Sequence, residues 1–251
     1  MLTPQRKRKI LELLAAQGQV LSKPLSEMFA VSEDTIRRDL RELSAQGLLQ
    51  RVHGGALPAS AAIATFAARE NLSLDVKQRL ARKAAQFILP GQVVLIDGGT
   101  STGELVKCLP SDLKITVVTH SPGIALGLID HPLIEVVLIG GRLFKHSVVT
   151  VGAATLEGLE KIHADVCFLG VTGVHTEAGL TTGDFEESCI KRALAARAAE
   201  TIVMASPEKI NTASPWAIGG ISLVNTLVVA KETKDDVVNT FTERGIDVVR
   251  G

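Results

Sequence analysis

Apolar residues in the first 55 positions recur at the spacing of three short helices followed by a pair of strands. We predict a first helix from residue 3, a second over 22–29, and a third that Ser32 caps and Gly47 ends. Residues 48–55 then predict two short strands around a glycine turn. Two helices joined by a tight turn, with a strand pair beyond them, are the arrangement of a winged helix-turn-helix that reads the major groove of DNA.

The third helix has a polar face opposite its apolar stripe. At 100° per residue this face presents Asp34, Arg38 and Arg41. Thr35 and Arg37 lie on its flanks. Arginine suits base reading because its planar fork bonds a guanine edge at two points, although a merely solvated face is the alternative. We predict DNA contacts from this face, from the basic start of the first helix and from the wing. The candidate DNA-binding residues are Arg6, Lys7, Ser32, Asp34, Thr35, Arg37, Arg38, Arg41, Arg51 and His53.

Beyond residue 90 the pattern changes to short β-branched runs that alternate with helical segments. The predicted strands are 93–97, 115–119, 134–139, 166–171, 201–205, 226–230 and 246–249. Continuous apolar strands alternating with helices predict a mostly parallel sheet that is covered on both faces. The predicted fold class is therefore α/β, with a winged helix-turn-helix ahead of a parallel sheet. Ligands of such sheets bind beyond the carboxyl ends of the strands.

The segment between these two parts lacks a strong amphipathic period. Residues 57–70 are rich in alanine, which predicts a linker with a helical tendency and domains that move relative to each other. From Asp75 an amphipathic helix begins, with Val76 and Leu80 facing inward and Lys77 and Arg79 mainly outward. We predict a DNA-binding domain over 1–56, a linker over 57–74 and an α/β domain over 75–251.

Composition and charge narrow the class of partner. The chain has 251 residues, of which 46% are hydrophobic and 22% charged, as in a soluble globular protein. Its net charge is zero, but residues 1–58 carry nine basic and six acidic side chains, so a polyanion is expected to meet this part. The three cysteines lack metal-ligand spacing, and no signal peptide or membrane-length apolar run is seen, which indicates the reducing cytoplasm and no membrane partner. No metal or cofactor is expected.

Small and polar residues follow the first predicted strand of the sheet. Residues 97–103 read Asp-Gly-Gly-Thr-Ser-Thr-Gly and lead into a helix. Amides at a helix N-terminus, aided by hydroxyls, bind phosphate when small residues let the anion approach. The spacing matches neither the Walker pattern nor the dinucleotide fingerprint, so a nucleotide is not favoured. An ordinary tight strand-to-helix connection is the alternative.

Further candidates stand at or near other strand ends, and either Lys191 or Arg192 is placed to neutralise a phosphate. We predict an effector site where these groups converge. The candidate effector-binding residues are Asp97, Gly98, Gly99, Thr100, Ser101, Thr102, His120, Ser121, Gly141, Thr172, His175, Lys191 and Lys209.

The N-terminal motifs resemble the signature of DeoR-type bacterial repressors. They are Ser-Glu-Asp-Thr-Ile-Arg-Arg-Asp-Leu at 32–40, Gln-Gly-Leu-Leu at 46–49 and Arg-Val-His-Gly-Gly-Ala at 51–56. In the second part, Asp-Gly-Gly-Thr-Ser-Thr at 97–102, Gly-Leu-Thr-Thr at 179–182 and Lys-Arg at 191–192 are similar to the effector domain of that family.

The resemblance implies a second domain with a fold like that of ribose-5-phosphate isomerase. It also implies an oligomeric regulator, a dimer or tetramer, of carbohydrate genes, whose repression is relieved by a phosphorylated sugar or polyol. The phosphate turn would be 98–102 and its basic partner Lys191.

Three departures from the family pattern leave the ligand open. His120 stands where asparagine is frequent, Val-Thr-Gly-Val-His at 171–175 replaces Ala-Asp-Gly-Ile-Asp, and Ala-Ser-Pro-Glu-Lys-Ile at 205–210 replaces Ala-Asp-Ser-Ser-Lys-Phe. Histidine differs most because it can change charge near neutral pH.

Two other functions compete with a sensor that has no catalytic activity. An active isomerase tethered to DNA would need a carboxylate base beside the substrate carbonyl, and the matching strand end has Thr172 and His175 instead of aspartates. A ligand-free oligomerisation domain is the third possibility, which the polar strand ends disfavour. We therefore predict a non-enzymatic DNA-binding regulator.

Overall fold

Residues 2–251, which the computed structural model describes, form two domains joined by a short segment. The first domain consists of α1 (Thr3–Gln17), β1 (Val20–Leu21), α2 (Ser22–Phe29), α3 (Glu33–Ala45), β2 (Gln50–Val52) and β3 (Gly55–Leu57). Its strands form an antiparallel sheet in the order β1-β3-β2. Ser32 caps α3 through a hydrogen bond that its Oγ accepts from the backbone of Thr35. The predicted three helices and wing are confirmed, and β1 adds a third strand to the wing.

A buried ion pair joins the first and third helices of this domain. The guanidinium of Arg6 donates from Nε to Asp39 Oδ2 at 2.5 Å and from Nη2 to Asp39 Oδ1 at 3.2 Å. Both side chains are buried, beside a core that includes Ile10 and Ile36. The hydrogen bond to Asp39 raises the pKa of Arg6. The prediction that Arg6 contacts DNA was wrong, because its charge is used inside the domain. Lys7 likewise pairs with Glu42 of α3.

The second domain is built on a seven-stranded sheet in which every neighbouring pair is parallel. In chain order its strands are β4 (Val93–Ile96), β5 (Ile115–Thr119), β6 (Ile134–Leu138), β9 (Ala164–Leu169), β12 (Ala198–Ala205), β14 (Thr226–Val229) and β15 (Asp247–Arg250). Their spatial order is β15-β14-β12-β9-β4-β5-β6, which places β4 and β9 side by side near the middle. All seven predicted strands and the predicted fold class are confirmed.

Helices cover both faces of this sheet. They are α5 (Leu74–Ala84), α6 (Thr100–Lys107), α7 (Pro122–Gly127), α8 (Ala153–Glu160), α9 (Phe185–Ala196) and α10 (Asp235–Thr242). Along β4 the side chains alternate: Val94 and Ile96 belong to the core cluster that includes residues of α5, α6 and α7, whereas Leu95 belongs to the cluster on the opposite face, which includes residues of α8, α9 and α10. Each fully buried aliphatic side chain contributes about 1.5–3 kcal/mol to folding. Among residues 2–251 no helix combines the length and apolar character needed to cross a membrane.

Two small antiparallel units lie outside the main sheet, and the sequence pattern did not predict them. One is the hairpin of β7 (Arg142–Phe144) and β8 (Val149–Val151), and the other joins β10 (Gly173–His175), β11 (Gly179–Thr182) and β13 (Trp216–Gly219). Every residue of β8, β10 and β11 is buried, and each of these strands has only three or four residues, which is too short for a periodic pattern to stand out.

The segment between the domains, residues 58–74, is called the strap below. It contains a 3-10 turn (Ala61–Ile63) and α4 (Phe66–Glu70) before α5 begins at its end. Ala59 forms a bridge with Ala213, and the hydroxyl of Ser60 donates to the carbonyl of Thr172. Predicted as a mobile linker, the strap instead packs on the second domain, because these backbone partners and buried side chains fix it.

Exchange of Arg6 for methionine is expected to destabilise the first domain. The variant leaves the carboxylate of Asp39 buried without its guanidinium, and breaking a buried pair in this way costs about 3–5 kcal/mol. Hydrogen exchange of the α3 amides, followed by mass spectrometry, measures this loss. Arg8→Met is the control, since the Arg8 side chain is 77% exposed and its loss should cost less than about 0.5 kcal/mol. Equal protection of α3 in both variants would show that the buried pair contributes nothing.

Candidate anion pocket and nucleic-acid interface

The carboxylate of Asp97, directly after β4, is the buried centre of the candidate pocket. Its Oδ2 accepts hydrogen bonds from Lys191 Nζ at 2.6 Å and from the Gly170 amide at 2.8 Å. Its Oδ1 accepts from the Gly98 amide at 2.7 Å and from His120 Nε2 at 2.8 Å. Burial raises the pKa of Asp97, but the charge of Lys191 and the hydrogen bond from His120 outweigh burial and lower this pKa to about 2. Asp97 is therefore an ionised residue that positions its neighbours.

His120 lies beneath the pocket and not in it. The ring is wholly buried, and its second nitrogen, Nδ1, is 2.7 Å from the backbone oxygen of Thr150. Both ring nitrogens are thus used inside the fold. Asp97 is equally inaccessible, with no exposed surface. The prediction that Asp97 and His120 contact an effector was wrong, because both hold the floor on which the pocket is built.

The pocket itself opens beyond the carboxyl ends of β4 and β9. The turn 98–102, which leads into α6, forms one wall, and Thr172, Lys191 and Lys209 form others. These predicted residues are brought together as the strand-end rule requires. Gly170 lies between them, where a Cβ would come within 2.8 Å of the Gly98 oxygen and 3.0 Å of Asp97 Oδ2, so no larger residue fits. The enclosed space is only about 20 Å³, which is room for one water molecule.

Cations outnumber carboxylates around this space. Its lining holds Arg69, Lys77, Lys191 and Lys209 together with the two carboxylates of Glu187 and Glu208. Burial lowers the pKa of Lys191, but the negative charges of Asp97 and Glu187 outweigh burial and raise this pKa above its ordinary value. The amine therefore stays charged. The amine of Lys209 is 3.1 Å from Ser101 Oγ. Burial lowers the pKa of Lys209 to about 7; the charge of Glu208 opposes this shift, and the charges of Lys77, Arg69 and Lys191 add to it. Such a cluster favours an anion.

Arg69 and Lys77 are functional candidates that the sequence analysis missed. Arg69 reaches the pocket from α4, and among the described residues its Nε and Nη2 are buried without a hydrogen-bond partner. Lys77 was predicted to point outward, which was wrong: it is buried and donates to the carbonyl of Arg69 at 2.5 Å. Its place was detectable, because Lys77 shares a helix face with Ala81 and Ala84 at i+4 and i+7. No pattern in the alanine-rich strap marks Arg69.

Two predicted effector residues lie elsewhere. A Cβ on Gly141 would come within 2.1 Å of Thr155 Oγ1, so this glycine serves close packing at the edge of the sheet. His175 faces a cavity of about 320 Å³ between the second domain and the wing, beside Arg51 and His53. Its Nδ1 accepts from the Glu177 amide at 3.0 Å, and burial lowers its pKa. Gly141 and His175, both predicted to bind the effector, therefore lie outside the candidate pocket.

A larger cavity adjoins the small pocket. It measures about 570 Å³ and shares Gly99 and Thr100 with the pocket. Its polar lining groups come from α4 to α7 and the loops between these helices; they include Glu70, Asn71, Gln78, Glu104 and Ser121. Ser121, a predicted effector residue, is thus placed beside the pocket and not within it. Cavities of this volume accommodate small molecules.

The third helix of the first domain carries an exposed arginine face. Arg38 has a 77% exposed side chain and pairs with Glu42 at 3.2 Å, while Arg37 pairs with Glu33 at 2.8 Å. Exposed ion pairs of this kind contribute at most about 1 kcal/mol to stability, so the arginines can exchange these carboxylates for another anion at little cost. Three further predicted residues are exposed in the same domain: Arg41 on α3, and Arg51 and His53 in the wing.

A winged helix-turn-helix with an exposed arginine face, joined to an α/β domain with a buried cationic pocket, defines a DNA-binding transcription regulator with a sensor domain. Residues 6–61 match the model of the DeoR-like helix-turn-helix domain, and residues 73–231 match that of the DeoR C terminal sensor domain. The chain belongs to the DeoR family of transcriptional regulators.

Relatives of known name agree with this membership. The HTH-type transcriptional regulator GlpR of Haloferax volcanii is 32% identical over 253 residues, covering 100% of this chain and 99% of its own length. The glycerol-3-phosphate regulon repressor of Escherichia coli is 31% identical over 245 residues, covering 97% of each chain. Among solved structures, ribose 5-phosphate isomerase A of Methanocaldococcus jannaschii is similar over 55% of each chain, with 16% identity and a TM-score of 0.42.

Exchange of Asp97 for asparagine is expected to destabilise the second domain by about 3–5 kcal/mol, because Lys191 then remains buried without its main counter-charge. Trp216, the only tryptophan of the chain, lies in this domain, so its fluorescence during urea unfolding reports the change. The exposed Asp112 provides the matched control Asp112→Asn, for which a change below about 0.5 kcal/mol is expected. A similarly small change at Asp97 would contradict its central role.

Proposed function

We propose that this regulator represses genes of carbohydrate metabolism and that a phosphorylated sugar or polyol weakens its binding to the operator. The observation that carries the proposal is the buried pocket at the carboxyl ends of β4 and β9, which four basic side chains line and in which, among residues 2–251, two donors of Arg69 have no acceptor. Buried charges are costly unless they are paired, so an excess of buried cations indicates an anionic ligand. The name of the Escherichia coli relative, a glycerol-3-phosphate regulon repressor, supports the same class of ligand.

In this proposal the phosphate binds at the turn 98–102. There the amides at the start of α6 and the hydroxyls of Thr100 and Ser101 donate to its oxygens, and Lys191 and Lys209 supply positive charge. The rest of the ligand extends through Gly99 and Thr100 into the larger cavity. The amides and carboxylates of that cavity suit the hydroxyls of a sugar or polyol, which can donate and accept hydrogen bonds.

The DNA-binding part of the proposal places α3 in the major groove. Arg37, Arg38 and Arg41 then leave their exposed pairs or solvent for phosphates and base edges, and Arg51 of the wing contacts the backbone or the minor groove. We further propose a homo-oligomer, a dimer or a tetramer, acting in the cytoplasm. A two-fold dimer would read two half-sites whose spacing follows its own symmetry.

Sensing is favoured over catalysis by the state of the carboxylates near the pocket. Asp97 is wholly buried and fully engaged with four donors. Glu187 lies 3.4 Å from the amine of Lys191, and Glu208 accepts hydrogen bonds from Ser73 and Ser206. An isomerase needs a carboxylate free to take a proton beside the substrate carbonyl. Each of these three is already committed to a partner.

Exchange of Arg38 for alanine is expected to weaken operator binding and to leave the fold intact. An arginine that bonds a guanine edge contributes about 1–3 kcal/mol, so the dissociation constant should rise about 5- to 150-fold. Gel-shift titration at one fixed salt concentration, with a DNA fragment that the protein selects from a random pool, measures the change. Arg250→Ala, which removes a surface ion pair on β15 of the second domain, should bind as the wild type does. Unchanged affinity of Arg38→Ala would reject its role.

Addition of the right phosphorylated compound is expected to weaken operator binding about 5- to 150-fold, the range of ordinary allosteric coupling. A panel of sugar and polyol phosphates, each paired with its unphosphorylated parent, tests this in the same assay. Binding of a dianion should also raise the pKa of Lys209 from about 7, so at pH 8 the complex should take up a proton that the free protein lacks. Below about pH 6 the amine is already charged and this uptake should vanish. Calorimetry in buffers of different ionisation enthalpy detects it.

Lys209→Met separates this proton uptake from other causes. The variant should lose both the uptake at pH 8 and most of the response to the ligand, whereas Lys231→Met, on the surface, should lose neither. If no phosphorylated compound of the panel binds, the sensor proposal is wrong. Turnover of any compound, followed by NMR, would instead support the isomerase alternative.

A further inference from the structure

The strap connects the wing to the pocket without a break. Strand β3 of the wing ends at Leu57, and the strap begins at the next residue. Within the strap, Ala62, Arg69 and Leu72 line the small pocket, while Phe66 and Asn71 line the larger cavity. One short segment therefore forms a wall of both spaces and continues directly into a strand of the winged helix.

Hydrogen bonds fasten the strap at intervals to the second domain. The carbonyl of Pro58 accepts from the Ala213 amide at 3.3 Å, and the Phe66 amide donates to the carbonyl of His146 at 3.2 Å. Near its end, the hydroxyl of Ser73 donates to Glu208 at 2.9 Å. Ser60 is also held in the interior, by the hydrogen bond to Thr172 described above. Farther along the strap, no residue of α4 is buried, so this part of the strap can move at lower cost than a helix of the core.

Arg69 is the unsatisfied group of the strap. Its guanidinium carbon lies 5.8 Å from the centre of the Phe66 ring, and burial lowers its pKa. Within residues 2–251, its Nε and Nη2 are buried without an acceptor. A buried donor of a charged group left unpaired costs more than a neutral one, which indicates that a partner belongs there. The other cations of the lining differ, because Lys191 and Lys209 stand on α9 and the turn Pro207–Lys209 of the second domain itself.

The pocket is too small for the ligand class proposed above. Its volume of about 20 Å³ holds one water molecule, so a phosphate enters only if a wall moves. The turn 98–102 is anchored to β4, and Lys191 is held by Asp97. In the strap, by contrast, α4 has no buried residue, so this is the wall that we expect to move.

We propose that Arg69 is an anion-binding residue and that the strap transmits the binding to DNA. The anion displaces the strap outward, pairs with the free Nε and Nη2 of Arg69, and so holds the strap in a new position. Because the strap continues into β3, the wing and the helix α3 packed on it turn relative to the second domain. This inference rests on the proposed function, and its experiments use inorganic phosphate as the probe.

The first experiment tests the binding role of Arg69 in the full chain. Arg69→Met should weaken phosphate binding about 10- to 100-fold by calorimetry, the loss expected when charged hydrogen bonds are removed. Arg69→Lys, which keeps the charge without the planar fork, should recover part of this loss. Arg82→Met, an exposed arginine on α5 outside both cavities, should bind phosphate as the wild type does. Wild-type affinity in Arg69→Met overturns the assignment.

The second experiment separates binding from transmission. Insertion of Gly-Ser-Gly-Ser between Leu57 and Pro58 lets the strap move without the wing. The inserted protein should bind phosphate with wild-type affinity but show the same operator affinity with and without phosphate. A full wild-type response to phosphate in this protein overturns the transmission role.

Hydrogen exchange of the wild-type protein tests the same proposal without any substitution, so misfolding of a variant cannot affect the result. Saturating phosphate should change the exchange of amides in residues 58–74 and in the wing. Unchanged exchange in both segments, with phosphate bound, overturns the proposal and leaves the sensor function standing. If the wild type binds neither phosphate nor any phosphorylated compound, the proposed function itself fails and this inference fails with it.

Discussion

The buried carboxylate of Asp97 is the constraint on which the sensor domain depends. An ionised carboxylate inside a protein needs donors on both oxygens, and here they come from elements far apart in the chain. The Gly170 amide lies 73 residues away, and Lys191 lies 94 residues away. His120, after β5, supplies another donor. One charge therefore fixes where β4, β5, β9 and α9 meet, and that meeting point is the wall of the pocket.

The same geometry explains why the pocket is electrostatically unbalanced. Asp97 and Glu187 neutralise Lys191. Within residues 2–251, Lys209 has Ser101 and a nearby Glu208, and two donors of Arg69 have no acceptor. Burial of charged groups without partners lowers the stability of a protein. Folded proteins keep such groups mainly at functional sites.

Local sequence patterns predicted much of this structure. The features that they did not predict depend on contacts between residues far apart in the chain. The seven strands and the turn 98–102 follow from apolar runs and the strand-end rule, and so does the convergence of Thr172, Lys191 and Lys209. Arg6 was misplaced because its partner Asp39 lies 33 residues away. His175 was misplaced because β10 belongs to a separate antiparallel sheet, whose end faces the wing. Sequence periodicity predicts which face is buried but not which distant charge meets it.

The cavities between the two domains are relevant to how binding in the pocket could change the binding of DNA. Cavities of about 320 and 270 Å³ separate the wing and the end of α1 from β10, β11 and α10. Well-packed interfaces resist rearrangement because each shift creates voids or clashes, but an interface that already contains voids does not. In the transmission proposed above, the covalent continuation of β3 into the strap sets the orientation of the winged helix. A coupling free energy of only about 1–3 kcal/mol suffices for regulation, and repositioning a few strap hydrogen bonds is of that magnitude.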